Sequence, residues 1–414
     1  MSRRRVTLAN GTSRGLVLDL IRSRGPISRV ELADATGLTQ ATMSTVVRQL
    51  IADGLVAVAG HGESTGGKPR VLLDINERSR FAVGVQLGSE SVTYVVANLS
   101  GAIVGRIRTQ GIGAATPEAM VRVVADTIDS TLTGLGIEKE RVVGVGVVAP
   151  GPLDLDRGAI LGPPHLNTWN SVPLRSRLAE AIGLPVVLDN DATAAALGEF
   201  WRGTLEGAKA HATVYMGTGI GAGILIEGAV YRGASSNAGE LGQFPITTVS
   251  ADGTPEAAGK RLVLEDVAGP SAVVAIVQAA PGGSDALGLT GVDDFTDFTA
   301  IATASVRGNA LALDAIGRSA QFLATATIAL ANVFDLDSIS LAGPAFAIAG
   351  PLYLSVLDTR LQSEFFVRRN HGLRIRLAVN VTDAAAVGGA ALVLQSELAP
   401  RSMGLTAGTQ SERD

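Results

Sequence analysis

Apolar residues in the first fifty positions recur with the period of a helix. Leu16, Val17, Leu20 and Ile21 fall on one side of a segment from about Ser13 to Arg24. Ser28-Arg-Val-Glu31 matches a capping box, so a second helix opens at Ser28, and Gly37 supplies the turn that ends it near Thr36. Thr39 offers another N-cap hydroxyl, and Met43, Val46, Val47 and Leu50 then form a single apolar stripe at i, i+3, i+4 and i+7. Gln40, Thr42, Ser44, Thr45 and Arg48 are left facing outward. Two short strands, Leu55 to Ala59 and Val71 to Ile75, flank a glycine-rich stretch, Gly60 to Arg70, that carries Lys68 and Arg70. Residues 1–76 are therefore expected to form a winged helix-turn-helix domain.

Charge sharpens this expectation. Residues 1–80 carry a net +5 and the remainder −10, so the total of −5 conceals a basic head. Small polar side chains on the third helix (Gln40, Thr42, Ser44, Thr45) suit base edges, while Arg48, Lys68 and Arg70 suit phosphates or a guanine. A helical bundle that merely docks on the rest of the chain would share the periodicity. The coincidence of caps, turn glycine, wing and local charge favours DNA.

Beyond a linker near Asn76 to Arg80 the pattern changes to alternation. Phe81 to Gln86, Ser91 to Asn98 and Ile103 to Arg108 read as strands, and a similar set returns at Ala212 to Met216, Ala222 to Ile226 and Val230 to Tyr231. Each set opens with a strand, a glycine-containing turn and a second strand, Leu87-Gly-Ser-Glu90 in the first and Gly217-Thr-Gly-Ile-Gly221 in the second. This weak internal repeat predicts two lobes around a cleft, with turn amides able to face phosphates. By itself GTGIGAG is also an ordinary tight hairpin.

At 414 residues, 46% hydrophobic and 18% charged, the chain is long enough for two or three domains. It has no cysteine, which rules out disulfides and thiolate metal sites and fits a reducing cytosol. Met1-Ser-Arg-Arg-Arg5 precedes no apolar run of signal length, and Glu227, Asp335 and Asp337 interrupt the most apolar stretches. A soluble, cytoplasmic protein is expected, with a disordered tail over residues 400–414.

Four motifs carry a family resemblance: Val148-Ala-Pro-Gly-Pro152, Leu188-Asp-Asn-Asp-Ala-Thr-Ala-Ala-Ala-Leu-Gly-Glu199, Gly217 to Gly223, and Ala238-Gly-Glu-Leu-Gly-Gln243. In this order and spacing, residues 81–398 resemble the ROK family (repressors, open reading frames and kinases), and the N-terminal head makes the chain similar to the family's xylose and N-acetylglucosamine repressors. The resemblance implies an α/β, actin-like sugar-kinase domain of two lobes, the second starting at about residue 193. It places Gly151, Asn190, Asp191, Glu240, Gln243 and Glu265 at a sugar, with Asp191 also the catalytic base in kinases of the family. A carboxylate accepts hydroxyl hydrogen bonds and can bind a proton, which suits both roles. Without the resemblance, Asn190 and Asp191 read as a turn after a strand.

Departures from the family pattern bear on chemistry. Its kinases have Asp-x-Gly-Gly-Thr in the first hairpin, where this chain has Gln86-Leu-Gly-Ser-Glu90, losing the magnesium carboxylate and adding a negative charge. Like charges about 4 Å apart cost around 1 kcal/mol even in water. The family's late Gly-Gly-Gly is Ala342-Gly-Pro344. A family zinc site is replaced by Gln243, Glu256, Ala258 and Val263, so no metal and no cofactor are expected.

The reading is a repressor without enzymatic activity that binds a palindromic operator as a homodimer or homotetramer and answers to a sugar or sugar phosphate. The rival is an ATP-dependent sugar kinase, supported by Asp191 and GTGIGAG. A regulator that has lost its ligand response is a third reading, opposed by the retained Asn190, Asp191 and Glu240.

Overall fold

The computed structural model describes residues 13–62, 70–112, 115–161, 169, 171–205, 207–246 and 262–398. Lys68, Glu256, Ala258 and the tail 400–414 lie outside the described residues. The head comprises α1 (Ser13–Arg24), β1 (Ile27–Ser28), α2 (Arg29–Thr36), α3 (Gln40–Ala52), β2 (Val56–His61) and β3 (Val71–Ile75). Ser28 Oγ accepts from the Glu31 amide at 3.3 Å and Glu31 Oε2 accepts from the Ser28 amide at 2.9 Å, completing the capping box. Gly37 ends α2 with φ 73°, a left-handed conformation open to glycine, and Thr39 caps α3. Met43, Val46, Val47 and Leu50 are the buried residues of α3.

Three details differ from the sequence expectation. Leu55 precedes β2, because its amide bonds back to Leu50 O at 3.0 Å and closes α3. The two-residue β1, which pairs Ile27 with Leu73, is too short to leave a periodic signal. Leu18 is fully buried whereas Leu16 is only half-buried, because α1 has a second packing side. The head's core is continuous with Ala82, Leu99, Trp201, Ala390 and Leu394 of the following domain.

That domain contains β4 (Phe81–Leu87), β5 (Ser91–Asn98), β6 (Ile103–Gln110), α4 (Pro117–Gly134), β7 (Val142–Ala149), β8 (Leu153–Asp154), β9 (Ala159–Ile160), α5 (Leu174–Ile182), β10 (Val186–Asn190) and α6 (Asp191–Trp201). It continues through β11 (Ala210–Met216), β12 (Ile220–Ile226), β13 (Ala229–Val230), α7 (Leu264–Ala268), α8 (Pro270–Ala279), α9 (Gly283–Leu287), α10 (Asp294–Val306) and α11 (Ala310–Phe334). It closes with β14 (Ser338–Ala342), α12 (Phe346–Glu364), β15 (Arg374–Leu377) and α13 (Ala384–Leu398). The two large sheets have the orders β10-β7-β4-β5-β6 and β15-β14-β11-β12-β13. In each, three antiparallel strands meet two parallel ones, so the weak sequence repeat is a repeat of topology.

Each sheet buries its outer face under its own helices, α4 and α5 on the first lobe and α8, α10, α11 and α12 on the second. Between the lobes, α6 packs on β11 and β12, and α13 returns to pack on β4, β5 and β7. The two helices touch backbone to backbone, since a Cβ on Gly388 of α13 would lie 1.7 Å from Ala194 O, and β12 comes as close on the other side of α6, where a Cβ on Gly223 would lie 2.1 Å from Ala192 O. Among the described residues no helix is long and apolar enough to cross a membrane.

Because the atom meeting a Gly388 Cβ is backbone oxygen, the contact cannot be relieved by turning a side chain. Gly388→Ala is expected to destabilise the protein by about 1–3 kcal/mol, read from urea unfolding midpoints; an unchanged midpoint would show that α6 and α13 adjust freely.

Candidate functional site

The carboxyl end of β10 runs directly into α6, and this junction places two chemically active side chains. Asn190 is the N-cap: its Oδ1 accepts from the amides of Ala192 (2.9 Å) and Thr193 (3.1 Å). Its Nδ2 is turned toward Gly151, where an added Cβ would sit 3.3 Å from Asn190 Nδ2 and 2.2 Å from Glu240 Oε1. Gly151 has to be glycine for the Glu240 carboxylate to come this close. Asp191 opens the helix and accepts from the Ala192 amide at 2.8 Å.

Competing effects act on Asp191, and burial is the strongest. The amide bond and the helix start favour the charged form, but desolvation, reinforced by the charge of Glu240, pushes its pKa up to about 7. The residue as a whole is half-buried, yet its carboxyl is enclosed enough for this order of effects to hold. Glu240, on the opposite lobe, is exposed as a residue, but its carboxyl is turned in against Gly151 and is raised by desolvation there and then by Glu265. Glu265 starts α7 and accepts from the Ile220 amide in the GTGIGAG turn at 3.1 Å. Gly151, Asn190, Asp191, Glu240 and Glu265 thus form one connected group drawn from both lobes. Gln243 is exposed and lines, with Glu240, Phe244, Leu330 and Phe334, a hollow of about 280 Å³ that the other four do not border.

Sequence reasoning passed over the strap that carries Glu240 into place. Arg232 crosses to the first lobe and grips Asp189 with both arms, at 3.1 and 2.7 Å. Asn237 adds two bonds to the backbone of Leu153, accepting from its amide at 2.7 Å and donating to its carbonyl at 2.9 Å. Asp189 stood inside a quoted motif, but nothing local announces a partner 43 residues away.

At the positions where the family pattern departs, Gln86 Nε2 donates to the hydroxyl of Tyr215, joining β4 to β11. Burial raises the Tyr215 pKa well above the usual phenol value, and the neighbouring Asp191 adds to it. Glu90 is raised by desolvation and then by Asp293 of the opposite lobe. Gly343 of Ala342-Gly-Pro344 donates to Val381 O at 2.7 Å. Val263, where the resemblance loses a zinc cysteine, is half-buried at the start of α7.

On the head, Gln40, Thr42, Thr45 and Arg48 are exposed along α3 and Ser44 is half-buried. Arg70 is exposed at the root of the wing. The Glu31 carboxyl is held below the usual range chiefly by its bonds to Ser28, with a smaller contribution from Arg70, whose charge is therefore partly engaged.

The raised Asp191 has a sign-definite consequence. Its folded pKa of about 7 exceeds the unfolded value of 3.8, so the folded state holds the extra proton between these limits. The contribution of Asp191 to stability against urea should fall as pH rises from about 4 to about 7, opposed by that of buried His211, whose pKa is lowered to about 3 and whose contribution rises with pH up to about 6.5. Asp191→Asn should therefore make the measured slope more positive. A slope unchanged in the variant would place the titration elsewhere.

Known proteins agree with this architecture. A ROK family profile matches residues 82–396 and a MarR family profile matches residues 12–64. The chain is 28% identical over 397 residues to a xylose repressor of Caldicellulosiruptor bescii, covering 95% of this chain and 98% of that one. It is 30% identical over 321 residues to a glucokinase of Halalkalibacterium halodurans, covering 77% and 96%. In structure it is similar to a ROK family transcriptional regulator described as a homologue of the E. coli MLC protein, with a TM-score of 0.72, 24% identity and coverage of 93% and 96%. With the profile spanning both lobes and their motifs, the chain belongs to the ROK family.

Proposed function

We propose that this chain is a DNA-binding transcriptional repressor whose operator affinity is set by a sugar or sugar phosphate held in the interlobe cleft. The observation that carries the proposal is the presence in one chain of an exposed, polar α3 on a helix-turn-helix head and a two-lobe carboxylate and amide cluster at the start of α6. Similarity to a protein named a xylose repressor over 95% of the chain supports the same pairing. Carboxylates of Asp191, Glu240 and Glu265 accept hydrogen bonds from sugar hydroxyls, and Asn190 Nδ2 donates one. Gln40, Thr42, Ser44 and Thr45 read base edges, while Arg48, Lys68 and Arg70 hold phosphates or a guanine.

A single recognition helix reads one half-site, so two copies related by a two-fold axis read a palindrome with half-sites separated by about 34–36 Å or a multiple of it. The sugar changes DNA affinity only by binding one arrangement of lobes and heads better than the other.

A second reading, an ATP-dependent sugar kinase, is favoured by the glucokinase similarity and by Asp191, whose raised pKa suits a general base. Against it, phosphoryl transfer needs a site for metal-bridged phosphates. Here Gln86 is engaged by Tyr215, and Glu90 with Asp293 presents negative charge at the cleft. ATP-dependent phosphorylation of D-glucose or D-xylose by the purified chain would establish the kinase.

Thermal melting against D-xylose, D-glucose, N-acetylglucosamine and their phosphates tests the sugar, because a ligand at a hundred times its Kd stabilises by about 2.7 kcal/mol. Arg48→Ala is expected to weaken binding to a selected operator duplex about tenfold or more without changing the sugar's melting shift. Asp191→Ala should abolish the shift and leave sugar-free operator binding intact. If both substitutions damage the same activity, the division between head and cleft is wrong.

A further inference from the structure

We infer that α6 is the coupling rod between cleft and head and that Arg22 and Trp201 are the residues through which it acts; this rests on the sugar-responsive repressor reading above. The first end of α6 is the ligand end, capped by Asn190 and opened by Asp191. Eleven residues later, about 16 Å along the axis, the helix finishes at Trp201, and the head takes hold there. The Arg22 guanidinium of α1 lies 4.2 Å from the centre of the Trp201 ring and donates to the Trp201 carbonyl oxygen. Its charge is neutralised by Asp19 at 2.8 Å, and its side chain is only 7% exposed. Gly101 abuts the pyrrole edge of the indole, where a Cβ would come within 2.6 Å of it.

Between these ends α6 has no room to bend. Residues 192–199 are all buried, and backbone contacts at Gly223 and Gly388 hold it on both sides. A helix confined in this way moves as a unit, by the small sliding of packed helices that accompanies domain closure. When the carboxylates of the two lobes close on a ligand, α6 shifts along α13 and the shift emerges at Trp201. The head also rests on Ala390, Ala391, Val393 and Leu394 of α13. It therefore stands on both helices, and their relative movement tilts it.

The test uses the full chain, the sugar that raises the wild-type melting temperature, and a duplex the wild type selects from a random pool. In the wild type the saturating sugar should change duplex affinity by a factor of about 5–150. Arg22→Leu should keep sugar-free duplex affinity and the melting shift, while the sugar-dependent ratio falls to about twofold or less. Arg22→Lys, which keeps the charge beside Asp19 but not the fork, should fall between. Of the chain's two tryptophans, Trp201 should change its emission on sugar binding, and Trp201→Phe should remove that change while Trp169 remains. Trp201 Nε1 has no hydrogen-bond partner among the described residues, so this substitution gives up none. A full ratio in Arg22→Leu, or a sugar-independent Trp201 emission, overturns the inference while the repressor reading stands. Should Arg22→Leu fail to fold, the emission of the unaltered chain decides. A wild type that responds to no sugar in melting overturns the repressor reading and this inference together, before any variant is made.

Discussion

The contact on which the rest of the molecule depends is the backbone-to-backbone packing of α6 on α13 between the two sheets. Helices that meet through glycine and alanine bring their axes closer than larger side chains would allow, and every neighbour is then set by that spacing. β4 and β7 reach α13 on one side, and β11 and β12 reach α6 on the other. The cleft, the site at the start of α6 and the seat of the head at its end are all positions along this one helix pair.

The site draws its chemistry from crowding like charges. Asp191, Glu240 and Glu265 converge from two lobes; burial raises Asp191 against the backbone hydrogen bonds that would lower it, and burial with the charge of Glu265 raises Glu240. Keeping such carboxylates charged is costly, because desolvation and like charges both disfavour the ionised form. The Arg232–Asp189 pair and the Asn237–Leu153 bonds hold the arrangement against that repulsion. The Gln86–Tyr215 bond joins one lobe to the other.

The head is as much a part of the following domain as a separate module. Its three helices close a core of their own, but Val17, Leu18 and Ile21 share one buried cluster with Ala390 and Leu394. α1 is thus buried on two sides, whereas Gln40, Thr42, Thr45 and Arg48 of α3 stay exposed. This explains why Leu18 is buried although the one-sided stripe read from the sequence omitted it.

What the sequence determined by itself was everything governed by local chemistry. Ser28, Glu31, Gly37 and Thr39 mark helix ends through bonds spanning three or four residues, and the stripe of α3 follows from a period of 3.6. The paired hairpins were legible for the same reason, and the four motifs identified the family and pointed to the candidate site. Tertiary structure decided the contacts between distant parts: Arg232 with Asp189, Gln86 with Tyr215, Arg22 with Trp201, and the return of α13 to the first lobe. The three side-chain pairs are separated by 43 to 179 residues. No periodicity or cap records such pairs, because their energy depends on where folding brings the elements rather than on the residues beside them.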